Sequence, residues 1–229
     1  MSATIAVRPS ELGLGGFAAR VFGKGETIIQ EEPLVRWNPL MNRAASDAQT
    51  DRESNLGGLE DALAALAPSA RAAYYKLSQL SPETLGSISE PGEEDNMAAM
   101  SIWMSNSFRI GDRANSAGGS EEQAVFERIA RLNHCCRPNA EHAWDAASGT
   151  QCVRALRRIA LGEQIFLSYI GDESRVLQLP REKRQSMLLD AFGFTCVCSR
   201  CERGDVEDDR QHDMLNAALQ REAASNALW

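Results

Sequence analysis

The sequence has no run of apolar residues approaching the roughly 20 that a helix needs to cross a bilayer, so no membrane-spanning segment is expected. Its opening residues, MSATIAVRPSELG, lack the apolar core of a secretory signal. Aromatic residues make up only 6%, and histidine occurs three times in 229 residues, so any ring or imidazole placed in a site stands out. A surplus of positive charge is missing too: 24 Lys and Arg stand against 32 Asp and Glu, a formal net charge of −8. Nucleic-acid binding rests on Lys and Arg neutralising phosphates, so this balance argues against it and is compatible with a basic peptide as partner. Internal repeats and low-complexity tracts are also lacking. What remains is an ordinary globular composition, 43% hydrophobic and 24% charged. Its length suits one compact domain, or one domain with a small appendage.

Six cysteines without a secretory signal point to a reducing compartment, where thiols bind metal or stay free. Cys135 and Cys136 are adjacent, Cys152 stands alone, and Cys196, Cys198 and Cys201 form a C-x-C-x-x-C cluster. Three thiols this close can wrap a tetrahedral zinc ion but leave one corner open. A structural zinc site is closed, so a fourth ligand must come from elsewhere, and Cys136 is a candidate. The competing reading is a set of free thiols, which such close spacing disfavours.

Along the chain, β-type segments at Thr4–Val7, Phe17–Val21 and Glu26–Val35 are separated by Gly-rich turns at Gly13–Gly16 and Gly23–Gly25. From Leu59 to Trp103 the period turns helical, as in Leu59, Ala62, Leu63 and Leu66, and Pro68, Pro82 and Pro91-Gly92 cut it into short helices. Asn115–Ser120 reads as a loop. Ser120 with Gln123 makes a capping box, predicting a helix to about Leu132 with Ala124, Ile129 and Leu132 inward. Ala140–Asp145 and Gln151–Leu156 predict a hairpin through Ser148-Gly149, followed by a strand at Gln164–Tyr169. Pro180 is expected in the first turn of a helix ending near Asp190. After the cysteine cluster, an acidic link (Glu202–Asp213) leads to an amphipathic helix carrying Met214, Leu215, Ala218 and Leu219. Strands at both ends flanking a helical middle imply one β-rich core interrupted by an insertion.

Four islands carry candidate chemistry. Gly13-Leu14-Gly15-Gly16 lets the backbone approach a ligand, or is a plain turn; a strand follows it, so it is no dinucleotide fingerprint. Asn133-His134-Cys135-Cys136-Arg137-Pro138-Asn139-Ala140 places polar side chains at an expected helix end, although a single His is more often a satisfied core residue. Gly162-Glu163-Gln164-Ile165-Phe166-Leu167-Ser168-Tyr169 reads as a strand with a terminal Tyr, by itself equally a core aromatic. Phe192-Gly193-Phe194-Thr195 leads into the cysteine cluster.

Together these islands resemble the SET-domain protein lysine methyltransferases, over Leu12–Val35 and Ala124–Cys201, and most closely the SET-and-MYND branch, whose helical insert also splits the domain. The chain departs from that branch in having no second Cys/His cluster between Val35 and Leu59, the place of the MYND finger, and no long C-terminal helical repeats. It also carries Cys135 where a Ser is usual and Phe192 where a Tyr is frequent. The resemblance implies a β-rich α+β fold: small β-sheets, a helical insertion and a zinc-binding post-SET segment. The implied divisions are residues 1–37 and 111–190 for the two parts of the SET domain, 38–110 for the insertion, 191–203 for the zinc segment and 204–229 for a C-terminal helix.

The resemblance further implies S-adenosylmethionine as cofactor. Gly13, Leu14 and Gly15 would contact its methionine end, Asn133 and His134 its adenosyl part, with Asn106 as a further contact and Phe194 near the adenine. Cys136, Cys196, Cys198 and Cys201 would hold one structural zinc ion. Tyr169 would be the catalytic residue, orienting an uncharged lysine amine in a channel that it lines with Phe192. The substrate would be a protein or peptide carrying a lysine, a histone tail among the candidates. The chain would act as a monomer without direct nucleic-acid or membrane contact, inside the cell, in nucleus or cytoplasm. The rival expectation is a catalytically silent, zinc-stabilised SET-like binding or scaffold module.

Overall fold

The hairpin at the start of the chain is held by its side chains as much as by its turn. In the computed structural model, which describes residues 4–38, 58–80, 94–111, 122–171, 179–204 and 206, β1 (Ile5–Ser10) pairs antiparallel with β2 (Gly13–Ala18), Ser10 opposite Gly13. The Ser10 hydroxyl accepts the Leu12 N–H at 3.1 Å and donates to the Gly13 carbonyl at 2.9 Å, closing the Glu11-Leu12 turn. The expected turn at Gly13–Gly16 is therefore a strand, and the strand expected at Phe17–Val21 ends at Ala18. The glycines serve close packing instead. A Cβ on Gly16 would lie 2.4 Å from Leu132 Cδ2, nearer than carbon atoms approach.

The single strand expected at Glu26–Val35 is two, β3 (Thr27–Glu31) and β4 (Val35–Trp37), with Pro33 between them. A proline has no N–H for a ladder, so it breaks the pairing. The insertion follows with α1 (58–64), α2 (Pro68–Tyr74) and α3 (Glu94–Asn106). Its core gathers Leu59, Leu63, Tyr74, Leu77, Ile102 and Trp103 against Val35 and Val125 of the β scaffold. The buried Tyr74 hydroxyl donates to the Ala99 carbonyl at 2.7 Å, so burial leaves it satisfied.

The chain leaves α3 directly into β5 (Ser107–Arg109). The helix expected from Ser120 to Leu132 is not formed: Gln123–Val125 is β6, and Ile129–Arg131 is a single 3₁₀ turn. Ser120 lies outside the described residues. Tertiary pairing overrides the local signal, because β6 is flanked on both sides, by β4 and β5, with Val125 opposite both Val35 and Ser107. The strands on either side of the insertion thus share one sheet, ordered β4-β6-β5. Glu31 caps the 3₁₀ turn, its carboxylate accepting the Arg128 and Ile129 N–H groups at 2.9 and 3.0 Å.

Asn133-His134, placed by sequence at a helix end, forms β7, which runs parallel to β10 (Phe166–Leu167). The latter is shorter than the expected Gln164–Tyr169. Between them, β8 (Ala140–Asp145) and β9 (Thr150–Ala155) form the expected hairpin within a residue, in a sheet ordered β3-β9-β8. Asn139, 1% exposed, fastens the second island to the third: its Nδ2 donates to Glu163 Oε1 and the Gln164 carbonyl, and its Oδ1 accepts the Phe166 N–H at 2.8 Å. The central core of Phe22, Ile28, Phe126, Ile129, Val153 and Ile165 lies among these small sheets.

Pro180 precedes rather than opens α4 (Arg181–Phe192), which ends two residues later than expected, at a left-handed Gly193 (φ 72°) whose N–H returns to the Leu189 carbonyl. A short unexpected helix, α5 (Ser199–Arg203), carries Cys201. The helix expected around Met214 lies outside the described residues, as do Pro82, Pro91-Gly92 and the loop Asn115–Ser120.

Candidate functional site

Cys136 follows β7, while Cys196, Cys198 and Cys201 arrive from the far end of α4. All four Sγ atoms lie within 4.8 Å of one another. Cys136 stands 3.9 Å from Cys196 and 3.6 Å from Cys201. Four sulfurs about 2.3 Å from a tetrahedral zinc would be about 3.8 Å apart, whereas a disulfide needs about 2.05 Å. The spacing fits a tetrathiolate metal site. Hydrogen bonds from its neighbours, Cys135 first, hold the Cys198 thiol well below the ordinary range; Cys136 is pushed well above it, first by hydrogen bonding with Cys196. Thiols so crowded cannot all ionise unless a divalent cation replaces their protons. Cys135, outside this group, accepts the Arg137 N–H at 3.4 Å.

His134 joins the thiols to Tyr169. Its Nδ1 accepts the Tyr169 N–H at 3.1 Å, which leaves the ring proton on Nε2, 3.4 Å from Cys136 Sγ. The imidazole is 3% exposed, and burial lowers its pKa to about 4, so it is neutral near pH 7. Both ring nitrogens are committed, which matches the core-histidine alternative for the side chain. Tyr169 donates its hydroxyl to the Leu132 carbonyl at 2.8 Å, and burial pushes the phenol well above its usual range. Its ring meets Phe192 at 5.0 Å, His134 at 5.4 Å and Phe194 at 6.4 Å, centroid to centroid.

Two cavities meet at this aromatic group. The larger, about 440 Å³, lies between the edge strands β5 and β8, and its walls include Phe108, Arg109, Glu141, His142 and Ser168. The smaller, about 160 Å³, is lined by Leu12, Asn133, His134 and Phe194 among others. Ser105, Asn106, Ala130, Tyr169 and Phe192 border both. Among the described residues no Lys, Arg, Asp or Glu lines the smaller cavity, and its histidine is neutral. Carboxamides and aromatic faces without fixed cations suit a nucleoside bearing a positive centre, not an anionic phosphate.

The structure thus brings Asn106, Asn133, His134, Tyr169, Phe192 and Phe194 around one junction. Asn106 spends its Nδ2 on the Ser78 and Ile102 carbonyls, at 2.7 Å each, leaving Oδ1 as the atom it can offer a ligand. Asn133 makes only long contacts, 3.3 Å to the Leu14 carbonyl and 3.4 Å to Ser10 Oγ. Gly13, Leu14 and Gly15 stand in β2 and line neither cavity; the neighbouring turn residue Leu12 does. Sequence reasoning missed Ser105 and Ala130, and the Leu132 carbonyl that holds Tyr169. The next-door residue Asn106 is the only pointer to Ser105, and a backbone acceptor has no residue-type signature.

Comparison with known proteins adds an independent line. The family model described as SET domain matches residues 13–170. The chain is 30% identical over 189 residues to histone-lysine N-methyltransferase set5 of Schizosaccharomyces pombe, covering 82% of this chain and 47% of that protein. It is 37% identical over 102 residues to human N-lysine methyltransferase SMYD2, covering 44% of this chain and 21% of that one. It therefore spans less than half the length of these curated relatives. A solved structure of Rubisco LSMT bound to sinefungin and monomethyllysine aligns with 86% of this chain and 53% of its own, at 15% identity and a TM-score of 0.49.

Proposed function

The chain belongs to the SET-domain family, and from that premise we propose that it transfers a methyl group from S-adenosylmethionine to the side-chain amine of a lysine in a protein substrate. The observation that carries this reading is the pair of cavities sharing Tyr169 and Phe192, one with no fixed charge among its described lining residues and the other between two sheet edges. The cofactor, when bound, supplies an electrophilic methyl on a sulfonium. Asn133, Asn106 and Phe194 would hold its nucleoside side in the smaller cavity, with backbone and ring edge of His134 beside them and Leu12 in the role expected of Gly13, Leu14 and Gly15. The larger cavity would receive an extended peptide, because β5 and β8 are edge strands among the described residues. Histone tails and other lysine-bearing segments are both within this class, and a reducing intracellular compartment suits the thiol cluster.

A lysine amine has a pKa of about 10.4 and must shed its proton before it attacks. A narrow aromatic passage beside a positive centre disfavours the ammonium by desolvation and like charge. Tyr169 is not the base: its buried phenol stays protonated near neutral pH. Its hydroxyl spends its proton on the Leu132 carbonyl and keeps its lone pairs to accept an N–H from the amine. That bond turns the nitrogen lone pair along the passage, and Phe192 limits the room around it. The rate gain comes mainly from alignment. Cys136, Cys196, Cys198 and Cys201 would hold zinc in a structural role.

The test is incubation of the purified chain with cofactor carrying a labelled methyl and a cell extract, followed by mass spectrometry of methylated lysines. Wild type labels lysines, whereas Tyr169→Phe binds cofactor with turnover reduced by at least about 10²-fold. Cofactor binding without transfer to any protein would overturn the enzyme reading in favour of a binding module.

A further inference from the structure

Arg184 and Arg200 are among the largest side chains wholly withdrawn from solvent, at 0% and 1% exposure. A guanidinium does not give up its proton in a protein, so each is a permanent cation in the interior, a costly placement unless negative charge is near. Neither is among the residues that line the two cavities described above. Arg184 lies against the thiol cluster. Arg184, in the first turn of α4, donates Nη1–H to the Leu179 carbonyl at 2.5 Å and Nη2–H to Cys201 Sγ at 3.8 Å. Arg200 sits in α5, one residue before Cys201. The helix grips the cluster at two further points: Gln185 Nε2 donates to the Cys196 carbonyl at 2.9 Å, and Leu188 packs in one small core with Cys136, Cys196 and Cys201.

Four thiolates around one divalent ion carry a net double negative charge, which an interior site must compensate. We propose that Arg184 is a positioning residue for the metal: its buried cation offsets part of the charge of a tetrathiolate zinc centre, and the Arg184–Cys201 contact fixes one ligand. Because Phe192 is the last residue of α4, this contact also ties the wall of the aromatic junction to the centre. The inference rests on the zinc reading of the cluster and is independent of methyl transfer.

The experiment measures zinc affinity of the full chain by competition with a chromophoric chelator, and the thiolate-to-metal absorption after cobalt substitution. R184M weakens zinc binding by about 10- to 100-fold. R184K, which keeps the charge but not the fork, recovers most of that loss. L188A removes an uncharged neighbour from the same core, and so lowers the melting temperature with a much smaller loss of zinc affinity. Wild-type affinity in R184M, an R184K as weak as R184M, or an L188A loss equal to that of R184M would each overturn the proposal. If R184M does not fold, R184Q takes its place in the comparison, and wild-type zinc affinity there overturns it as well.

Discussion

His134 shows how much one side chain can be asked to do when both of its ring nitrogens are spoken for. Its Nδ1 must stay unprotonated to accept the Tyr169 N–H. Burial lowers its pKa from the ordinary 6.5 to about 4, so between those values the unfolded chain binds a proton that the folded one refuses. Stability from this residue is therefore complete above about pH 6.5 and is lost as pH falls toward 4. Melting curves from pH 7.5 to 4.5 should show this loss, with zinc release followed in parallel to separate the two acid effects. In His134→Gln the slope should flatten, and an unchanged slope would mean that another group is responsible. The residue types at the junction were readable from sequence: Asn133, His134 and Tyr169 carry the motif. The commitment of the imidazole was not, because its partners are a backbone N–H 35 positions away and a thiol.

At the level of elements, the glycines of β2 are where sequence and structure part most usefully. Gly15 and Gly16 suggest a turn by composition, yet they form a strand pressed against Gln164 and Leu132. Gly16→Ala should cost about 1–3 kcal/mol in denaturant unfolding by displacing Leu132, whose carbonyl anchors the Tyr169 hydroxyl. Turnover should fall with it; unchanged stability would show that Leu132 yields freely. The β8–β9 hairpin and the start of α4 were legible because their signals are local, Gly149 at a positive φ and Pro180 before the first turn. β6 and β7 were not, since each is a strand only by virtue of a partner far along the chain, β4 and β5 for one and β10 for the other. Gln123–Val125 taken alone fits a helix as well as a strand.

For the molecule as a whole, the thiol cluster is the clasp between the β core and the C-terminal segment that brings Phe192 and Phe194 to Tyr169. Metal analysis should give one zinc per chain. Stripping it, or making Cys198→Ser, should lower the melting temperature by more than about 5 °C and abolish turnover in the same step. Full activity in zinc-free protein would detach the clasp from the site. The interrupted β core was legible from the order of strand and helix patterns, and the thiol set from spacing together with the family resemblance. The meeting of the two chambers was not, since it depends on how α3, β7 and α4 converge. That meeting has a kinetic consequence. Among the described residues, the two rooms share a border of Ser105, Asn106, Ala130, Tyr169 and Phe192. On the proposed assignment of donor to the smaller room and acceptor to the larger, a spent donor would exchange while the acceptor stays seated, and successive rounds on one amine would need no release between them.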